Sequence, residues 1–174
     1  MGVKLYTLDW SPPVRAVMMA CDIFNVPFEK VEVNILANDN KTPEFLKKNP
    51  LHSIPVMEDG DFILHESHAI VAYLSDVYGK DDSWYPKDAK KRALVNQKLF
   101  FDTSILFSRF RNVTYAVLIQ GKNIIEQKLL DDIDEAYVYH KLQIHIFNTP
   151  YCKNQNEPGA IELDEMVNKG ISSS

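Results

Sequence analysis

The sequence predicts a small domain of mixed α/β structure followed by an all-helical region. The first 80 residues contain two kinds of segment in alternation. Short runs that are apolar, or in which apolar and polar residues alternate, are typical of strands, and they are separated by segments whose apolar residues recur at helical spacing. From Lys87 onward only the helical spacing recurs. The chain has 174 residues, of which 45% are hydrophobic, an ordinary composition for one globular domain or two small ones.

The predicted elements of the first region follow the order strand, helix, strand, helix, strand, strand, helix. We predict strands at 3–8, 31–35, 56–57 and 62–64, and helices at 14–24, 43–48 and 67–78. Prolines at 12 and 13 suit a first helical turn, whose N–H groups lack partners. Asp59-Gly60 predicts the turn of a hairpin, and Gly79 follows the last helix. Parallel and antiparallel strands should therefore mix in one sheet.

A polar connector at 81–86 leads to the helical region. We predict a long amphipathic helix at 87–120 and a second helix from about 123 to 140. The first carries an aromatic stripe (Phe100, Phe101, Phe107, Phe110 and Tyr115) that indicates either helical core or the lining of an apolar pocket over Ser11. The predicted domains are 1–80 and a partial helical domain at 87–147, followed by a divergent, poorly ordered tail at 148–174.

Composition argues against several classes of partner. A formal charge of −5 disfavours nucleic-acid binding, and the short clusters Lys47-Lys48 and Lys90-Lys91-Arg92 are predicted to be solvated helix faces. No apolar run reaches membrane-spanning length, and the first residues do not resemble a signal peptide, so no membrane contact and a cytoplasmic location are expected. The sequon at Asn40 is interpreted as chance.

Metal binding is not expected either. Cys21 lies among apolar residues at helical spacing, which predicts a buried, inert thiol, and Cys152 is too distant in sequence to form a metal pair with it. His65 and His68 straddle a predicted strand-to-helix boundary, and the chain offers no third ligand at zinc spacing.

Ser11 stands at a strand-to-helix junction, where N–H groups and the helix dipole favour an anion. It is either a helix cap or a hydroxyl that donates to a bound thiolate. No Gly-x-Ser-x-Gly elbow surrounds it, so an acyl-transfer nucleophile is disfavoured. A hydrogen bond to the charged form of a thiol lowers its pKa.

The segment 50–68 indicates a second part of the same site. Pro55 at a strand start requires a sheet edge, a bulge or a cis bond, and Ile54 before it would then expose its backbone to an extended peptide. His52 is either a loop histidine or a ligand contact. Glu66 and Ser67 at a helix start could together hold an amino-acid zwitterion: the glutamate binds the ammonium, and the serine with its helix N–H groups binds the carboxylate.

Four segments together resemble the cytosolic glutathione transferases of insect delta/epsilon type. They are Ser11-Pro12-Pro13-Val14-Arg15, Asn49-Pro50-Leu51-His52-Ser53-Ile54-Pro55, Glu66-Ser67-His68-Ala69-Ile70, and the run from Tyr78 through Ser83 to Tyr85-Pro86-Lys87. The likeness extends from the amino terminus to about Tyr137. It implies an α/β thioredoxin-like domain followed by an all-α domain, which in this chain is expected to be truncated.

The resemblance also implies roles for these residues. Ser11 would stabilise the thiolate of glutathione, which is the co-substrate. The glutathione-binding residues would be His52, Ser53, Ile54, Pro55, Glu66, Ser67 and His68: His52 at the glycyl end, Ile54 before a cis-Pro55 pairing with the cysteinyl backbone, and Glu66 with Ser67 holding the γ-glutamyl group. Phe107, Phe110 and Tyr115 would help form the electrophile pocket.

The function implied is conjugation of glutathione to small apolar electrophiles by a homodimer, as in detoxification. The chain is shorter than is usual for this family, and we expect a truncated, alternatively spliced or mispredicted product. The alternative is a non-catalytic module that binds glutathione or a partner.

Overall fold

The computed structural model describes residues 2–118 and 120–148, with side chains as far as His140. The predicted tail beyond residue 148, and Cys152 within it, lie outside the described residues. The chain divides into two compact units, Met1–Leu99 and Phe100–Ser174. Our assignment of domains to 1–80 and 87–147 stays a prediction.

The first unit contains a four-stranded mixed sheet with the strand order β2-β1-β3-β4. The strands are β1 (Val3–Thr7), β2 (Phe28–Glu32), β3 (Val56–Asp59) and β4 (Phe62–His65). β1 is parallel to β2 and antiparallel to β3, which pairs antiparallel with β4. The helices are α1 (Pro12–Phe24), α2 (Pro43–Lys48) and α3 (Ser67–Tyr78). This arrangement confirms the predicted thioredoxin-like fold class.

Local sequence explains where these helices begin and end. α1 has Pro12 and Pro13 in its first turn and stops at Asn25, which adopts a left-handed conformation with φ of 54°. α2 is capped by Thr42, whose Oγ1 accepts a hydrogen bond from the Phe45 N–H at 3.3 Å. The end of α1 at Phe24 and the start of α2 at Pro43 agree with the prediction.

The two faces of the sheet carry separate apolar clusters. α1 and α3 pack with one face, where buried residues include Val3, Leu5, Val17, Cys21, Met57, Ile70 and Leu74. The other face packs Val33, Phe45 and Val56. Val56 and Met57 are neighbours in β3 but point to opposite faces, as strand geometry requires. Cys21 is fully buried, as predicted, and burial raises its pKa to about 11.

The predicted strand at 31–35 is wrong in its bounds. β2 starts at Phe28 and ends at Glu32, and Ile35–Ala37 form a 3₁₀ turn. The reason is local: the side chain of Asn34 accepts a hydrogen bond from the Ala37 N–H at 3.2 Å, which offers the backbone an alternative to strand pairing. A second 3₁₀ turn, Asp39–Lys41, leads into α2.

Two of the basic residues that we predicted to be solvated form ion pairs with carboxylates of the first unit. Lys48 forms an ion pair with Glu58, whose other partner is the Tyr6 hydroxyl at 3.1 Å. Burial acts to raise the pKa of Glu58, but the hydrogen bonds from Lys48 and Tyr6 outweigh it and hold that pKa below its usual range. The same contact with Glu58 raises the pKa of Lys48.

Arg92 is the second exception. Its guanidinium donates to the Asp76 carboxylate at 2.9 Å and to the carbonyl oxygens of Pro86 and Tyr85 at 2.5 and 3.1 Å. It also lies 4.1 Å from the centre of the Tyr85 ring. The connector that follows α3 is therefore fastened to α3 through one side chain, while Lys47, Lys90 and Lys91 are exposed as predicted.

The helical part consists of α4 (Ala89–Phe101), a π-helical segment (Asp102–Leu106), α5 (Phe107–Leu118) and α6 (Gln127–Asn148). The predicted helix at 87–120 is thus helical nearly throughout, and the second helix begins four residues later than predicted. Ser104 Oγ donates to the Phe100 carbonyl oxygen at 2.6 Å within the π-helical segment. Arg109 links α5 to α6 through the Asp132 carbonyl oxygen at 2.6 Å and the Glu135 carboxylate at 2.7 Å.

The aromatic stripe is not helical core throughout. Phe100, Phe110 and Tyr115 are 69, 40 and 48% exposed, so the core interpretation is wrong for these three. Phe101 and Phe107 are half-buried. Among the described side chains of α6, the fully buried one is that of Ala136, and Tyr137 is exposed.

Candidate functional site

Strand register brings three predicted segments to one end of the sheet. Tyr6 lies opposite Val56, and Val56 lies opposite His65. Because β3 runs antiparallel to both of its neighbours, the start of β3 meets the ends of β1 and β4. The Ser11 turn, the 49–55 loop and Glu66 all adjoin this end. The amino termini of α1 and α3 lie here too, and their dipoles favour an anion.

Ser11 occupies the N-cap position of α1 and is 9% exposed. Its main-chain N–H donates to the Leu8 carbonyl oxygen at 2.8 Å, and its carbonyl oxygen accepts from the Arg15 N–H at 3.0 Å. Among the described residues its hydroxyl makes no capping hydrogen bond to the helix. Ser11 is therefore the N-cap of α1 by position, as one of the two predicted alternatives has it, but without a capping bond from its hydroxyl.

The 49–55 loop is held by a buried asparagine that sequence reasoning missed. Asn49 is fully buried, and its Nδ2 donates to the Ser53 carbonyl oxygen at 2.8 Å and to the Ser53 hydroxyl at 2.9 Å. Its Oδ1 accepts from the Leu51 N–H at 3.0 Å. The Asn49-Pro50 step is a turn signal that could have identified this residue.

The Ile54-Pro55 peptide bond is cis, one of the three arrangements considered for it. The edge-strand alternative is wrong, because Pro55 precedes β3, which lies between β1 and β4. Pro55 is buried and Ile54 is half-buried against the cluster of Val33, Phe45 and Val56. His52, two residues before Ile54, is exposed and has a positive φ of 47°.

Glu66 ends the hairpin and Ser67 begins α3. Glu66 has a φ of 75°, and its exposed side chain makes no capping bond among the described residues. Ser67 Oγ lies 3.5 Å from Nδ1 of His68. The first N–H groups of α3 have no intrahelical acceptors, so this corner offers a carboxylate next to hydrogen-bond donors. Such a pair suits a zwitterion.

The predicted pocket residues Phe107, Phe110 and Tyr115 belong to the second unit, on α5. The Phe107 and Phe110 rings lie 6.5 Å apart between centroids. Their relation to Ser11 stays a prediction. Within the described residues, no three side chains of His, Cys, Asp or Glu gather in a group able to hold a metal ion. In the same part of the chain, none of the helices combines the length and apolar character needed to cross a bilayer.

Residues 1–76 match the N-terminal domain of glutathione S-transferases. The chain is 43% identical over 138 residues to glutathione S-transferase 1 of Manduca sexta, which covers 79% of this chain and 64% of that protein. Its structure is similar to an epsilon-class glutathione S-transferase from the housefly Musca domestica (TM-score 0.76, 43% identity, 79% of this chain and 63% of that one).

A second similar structure is a glutathione transferase homologue from Drosophila mojavensis with bound glutathione (TM-score 0.77, 42% identity, 79% of this chain and 64% of that one). The chain spans 52 to 64% of the length of the curated relatives that it matches. Over 79% of its length the chain is thus similar, in sequence and in fold, to insect glutathione S-transferases, among them delta-class and epsilon-class members.

Proposed function

We propose that this chain binds reduced glutathione at the end of the sheet described above and conjugates it to small apolar electrophiles. One observation carries the proposal: strand register places the Ser11 turn, the cis Ile54-Pro55 step and the Glu66-Ser67 corner at the same end of one sheet. Glutathione is a short extended peptide with an amino-acid zwitterion at one end and a carboxylate at the other. The three segments offer groups that could bind an extended backbone and a zwitterion, and this chemistry supports the proposal.

In this proposal each part of glutathione has its own contacts. Glu66 binds the γ-glutamyl ammonium, and the Ser67 hydroxyl with the first N–H groups of α3 binds the adjacent carboxylate. The main chain of Ile54 pairs with the cysteinyl backbone, as an added strand would. His52, with Ser53 beside it, contacts the glycyl carboxylate. Pro55 sets the bend before β3, and His68 lies next to Ser67 at 3.5 Å.

Ser11 supplies the chemistry. Its hydroxyl, which is not used to cap α1, donates a hydrogen bond to the glutathione sulfur. This bond favours the thiolate over the thiol and so lowers the thiol pKa. The thiolate then attacks the electrophilic carbon: a carbon–sulfur bond forms, and the leaving group departs with the electron pair of its bond. The serine stabilises the nucleophile and transfers no group itself.

The apolar substrate requires an apolar surface, which we assign to Phe107, Phe110 and Tyr115 of the second unit. Phe110 and Tyr115 are both exposed in this chain, which supports a role in contact with a ligand. We further propose that residues 1–80 form the glutathione-binding domain and 87–147 the helical domain. A homodimer located in the cytoplasm, with a detoxification-type substrate range, completes the proposal.

The test is an assay of the purified full chain with reduced glutathione and an activated aromatic halide, with a thermal melt run in parallel. We expect conjugation above the uncatalysed rate, and a melting temperature that rises as glutathione is added, because a ligand that binds the folded state stabilises it. A raised melting temperature without conjugation would instead support a binding module. Absence of both effects would reject the proposal.

A further inference from the structure

Asn40 is a buried polar residue that the glutathione site described above does not use. It lies in the second 3₁₀ turn, 3% exposed, before α2. Its Nδ2 donates to the main-chain carbonyl oxygen of His52 at 2.7 Å, across twelve residues of sequence. The bond connects the turn after β2 to the loop that precedes the cis Ile54-Pro55 step. Its burial also means that the Asn40 sequon is inaccessible in the folded chain.

The acceptor of this bond is an unusual point in the backbone. His52 has a φ of 47°, in the left-handed region that residues other than glycine rarely occupy. Such a conformation persists only where the surrounding structure determines it. Two bonds do so here: the His52 N–H donates to the Asn49 carbonyl oxygen at 2.9 Å, and the His52 carbonyl accepts from Asn40.

The loop has little apolar packing of its own on the side of Pro50, Leu51 and His52, which are all exposed. Its order therefore depends on the buried amides beneath it. Asn40 Oδ1 is buried and has no hydrogen-bond partner among the described residues, so the one described role of this amide is its donation to His52.

We infer that Asn40 is a positioning residue for glutathione. It acts through the His52 carbonyl, and it fixes the direction of the His52 side chain and of the Ile54 backbone two residues later. This inference rests on the proposed function, because it assigns those two groups to glutathione. Asn40 itself touches no reacting atom, so its loss should weaken the grip on glutathione and leave the chemical step at Ser11 nearly intact.

The experiment compares the full wild-type chain with Asn40→Ala and Asn40→Asp. The alanine variant removes the Nδ2 donor. The aspartate variant keeps the side-chain volume but presents oxygen atoms to the His52 carbonyl oxygen. If one of the two variants does not fold, the other still tests the inference. The control is Val26→Ala, which removes buried apolar volume from the cluster that includes Val3 and Leu5 in the same unit. The Val26 side chain has no donor that could bind the His52 carbonyl. All four chains are assayed for conjugation with glutathione as the varied substrate.

Both Asn40 variants should raise the glutathione KM about fivefold or more, a change on the order of one broken hydrogen bond, with kcat changed less than about twofold. Val26→Ala should lower the melting temperature without raising that KM. A KM unchanged in both Asn40 variants, or raised equally by Val26→Ala, would overturn the positioning role and leave Asn40 a structural residue.

Amide hydrogen exchange of residues 50–55, measured without glutathione, separates the two proposals. Faster exchange in the Asn40 variants than in Val26→Ala is expected, because the loop loses its anchor. Unchanged exchange would reject the inference whatever glutathione does. If exchange changes as expected but the wild-type chain neither binds nor conjugates glutathione, the proposed function fails, and the positioning role for glutathione fails with it.

Discussion

Val56 of β3 lies directly opposite His65 of β4 in the antiparallel ladder. Because Pro55 precedes Val56 and Glu66 follows His65, two residues that are eleven positions apart in sequence leave the sheet side by side. On its other side Val56 lies opposite Tyr6, which brings the Ser11 turn to the same end. A register shift of one residue would turn Val56 and Met57 to the wrong faces, so burial of these two side chains also fixes the site.

Replacing Ser11 with alanine should raise the pKa of the bound glutathione thiol and slow conjugation. A hydrogen bond to a charged group contributes about 1.5–3 kcal/mol, so we expect a thiol pKa higher by about 1–2 units and a rate at pH 6.5 lower by roughly 10- to 100-fold. The glutathione KM should change much less. Thiolate absorbance against pH measures the first effect and steady-state kinetics the other two. Ser83→Ala, at an exposed serine of the connector, is the control; equal rates in the two variants would contradict the role of Ser11.

Glu66→Gln should weaken the binding of glutathione. The change removes the charge that pairs with the γ-glutamyl ammonium, which corresponds to about 1–3 kcal/mol or a Kd higher by roughly five- to 150-fold. Calorimetric titration with S-methylglutathione measures this directly, because that ligand has no thiol to ionise. Asp61→Asn provides the matched control, since Asp61 is exposed in the hairpin turn at the opposite end of β3 and β4. A similar loss in both variants would point to net charge and not to Glu66.

The Asp59 carboxylate should make the unfolding free energy fall at alkaline pH. Asp59 Oδ2 accepts from the hydroxyls of Tyr73 at 2.9 Å and Tyr78 at 2.6 Å. The hydrogen bond to Asp59, with burial, raises the pKa of Tyr78 to about 12, and burial with the same acceptor raises that of Tyr73. Tyrosines of the unfolded chain lose their protons first, near pH 10. Stability is therefore fully present below about pH 10 and is lost as pH rises through 12.

Urea unfolding between pH 8 and 11.5 tests this slope. Tyr78→Phe should reduce the slope, and at pH 8 it should cost about 1–3 kcal/mol, because it removes a hydrogen bond to a carboxylate. Tyr139→Phe, at an exposed tyrosine of α6, should change neither quantity. A slope that is the same in wild type and in Tyr78→Phe would show that this hydrogen bond does not govern the alkaline transition.

Arg92→Lys should destabilise the first unit although it conserves charge. Lysine cannot reproduce a planar group that reaches one carboxylate and two carbonyl oxygens while it stacks on Tyr85. Both charged side chains are partly exposed, so the ion pair itself contributes little, and we expect a total loss of about 1–2 kcal/mol. Chemical denaturation gives the value. Arg111→Lys, at an exposed arginine of α5, should be neutral; equal effects would mean that the geometry around Arg92 is unimportant.

Much of the fold was predictable because its signals are local. Pro12 and Pro13, the Thr42 cap and the Asp59-Gly60 turn each act within a few residues, and the elements that they delimit were confirmed. The errors came where a side chain altered the backbone pattern or found a distant partner. β2 ends early because Asn34 stabilises a 3₁₀ turn. Lys48 and Arg92 form ion pairs with carboxylates that lie far from them in sequence.

The candidate site divides along the same line. Ser11, Ile54, Glu66 and Ser67 could be identified from the sequence because each adjoins a recognisable start of a helix or strand. Asn49 carried only the turn signal of the Asn49-Pro50 step, and Asn40 could not be identified, because its hydrogen bond to His52 lies beneath the loop and no periodicity encodes it. The exposure of Phe110 and Tyr115 likewise depends on which helices cover α5, and not on their spacing along it.

The most direct test of the account is to map glutathione binding on the full chain by amide NMR. With ¹⁵N-labelled protein and increasing reduced glutathione, we predict that the largest shifts fall at Ser11, at residues 52–54 and at residues 66–68. The hairpin turn at 59–61, which lies at the opposite end of the sheet, should shift little. Shifts concentrated at that turn, or none at millimolar glutathione, would contradict the claim that strand register has assembled a glutathione site.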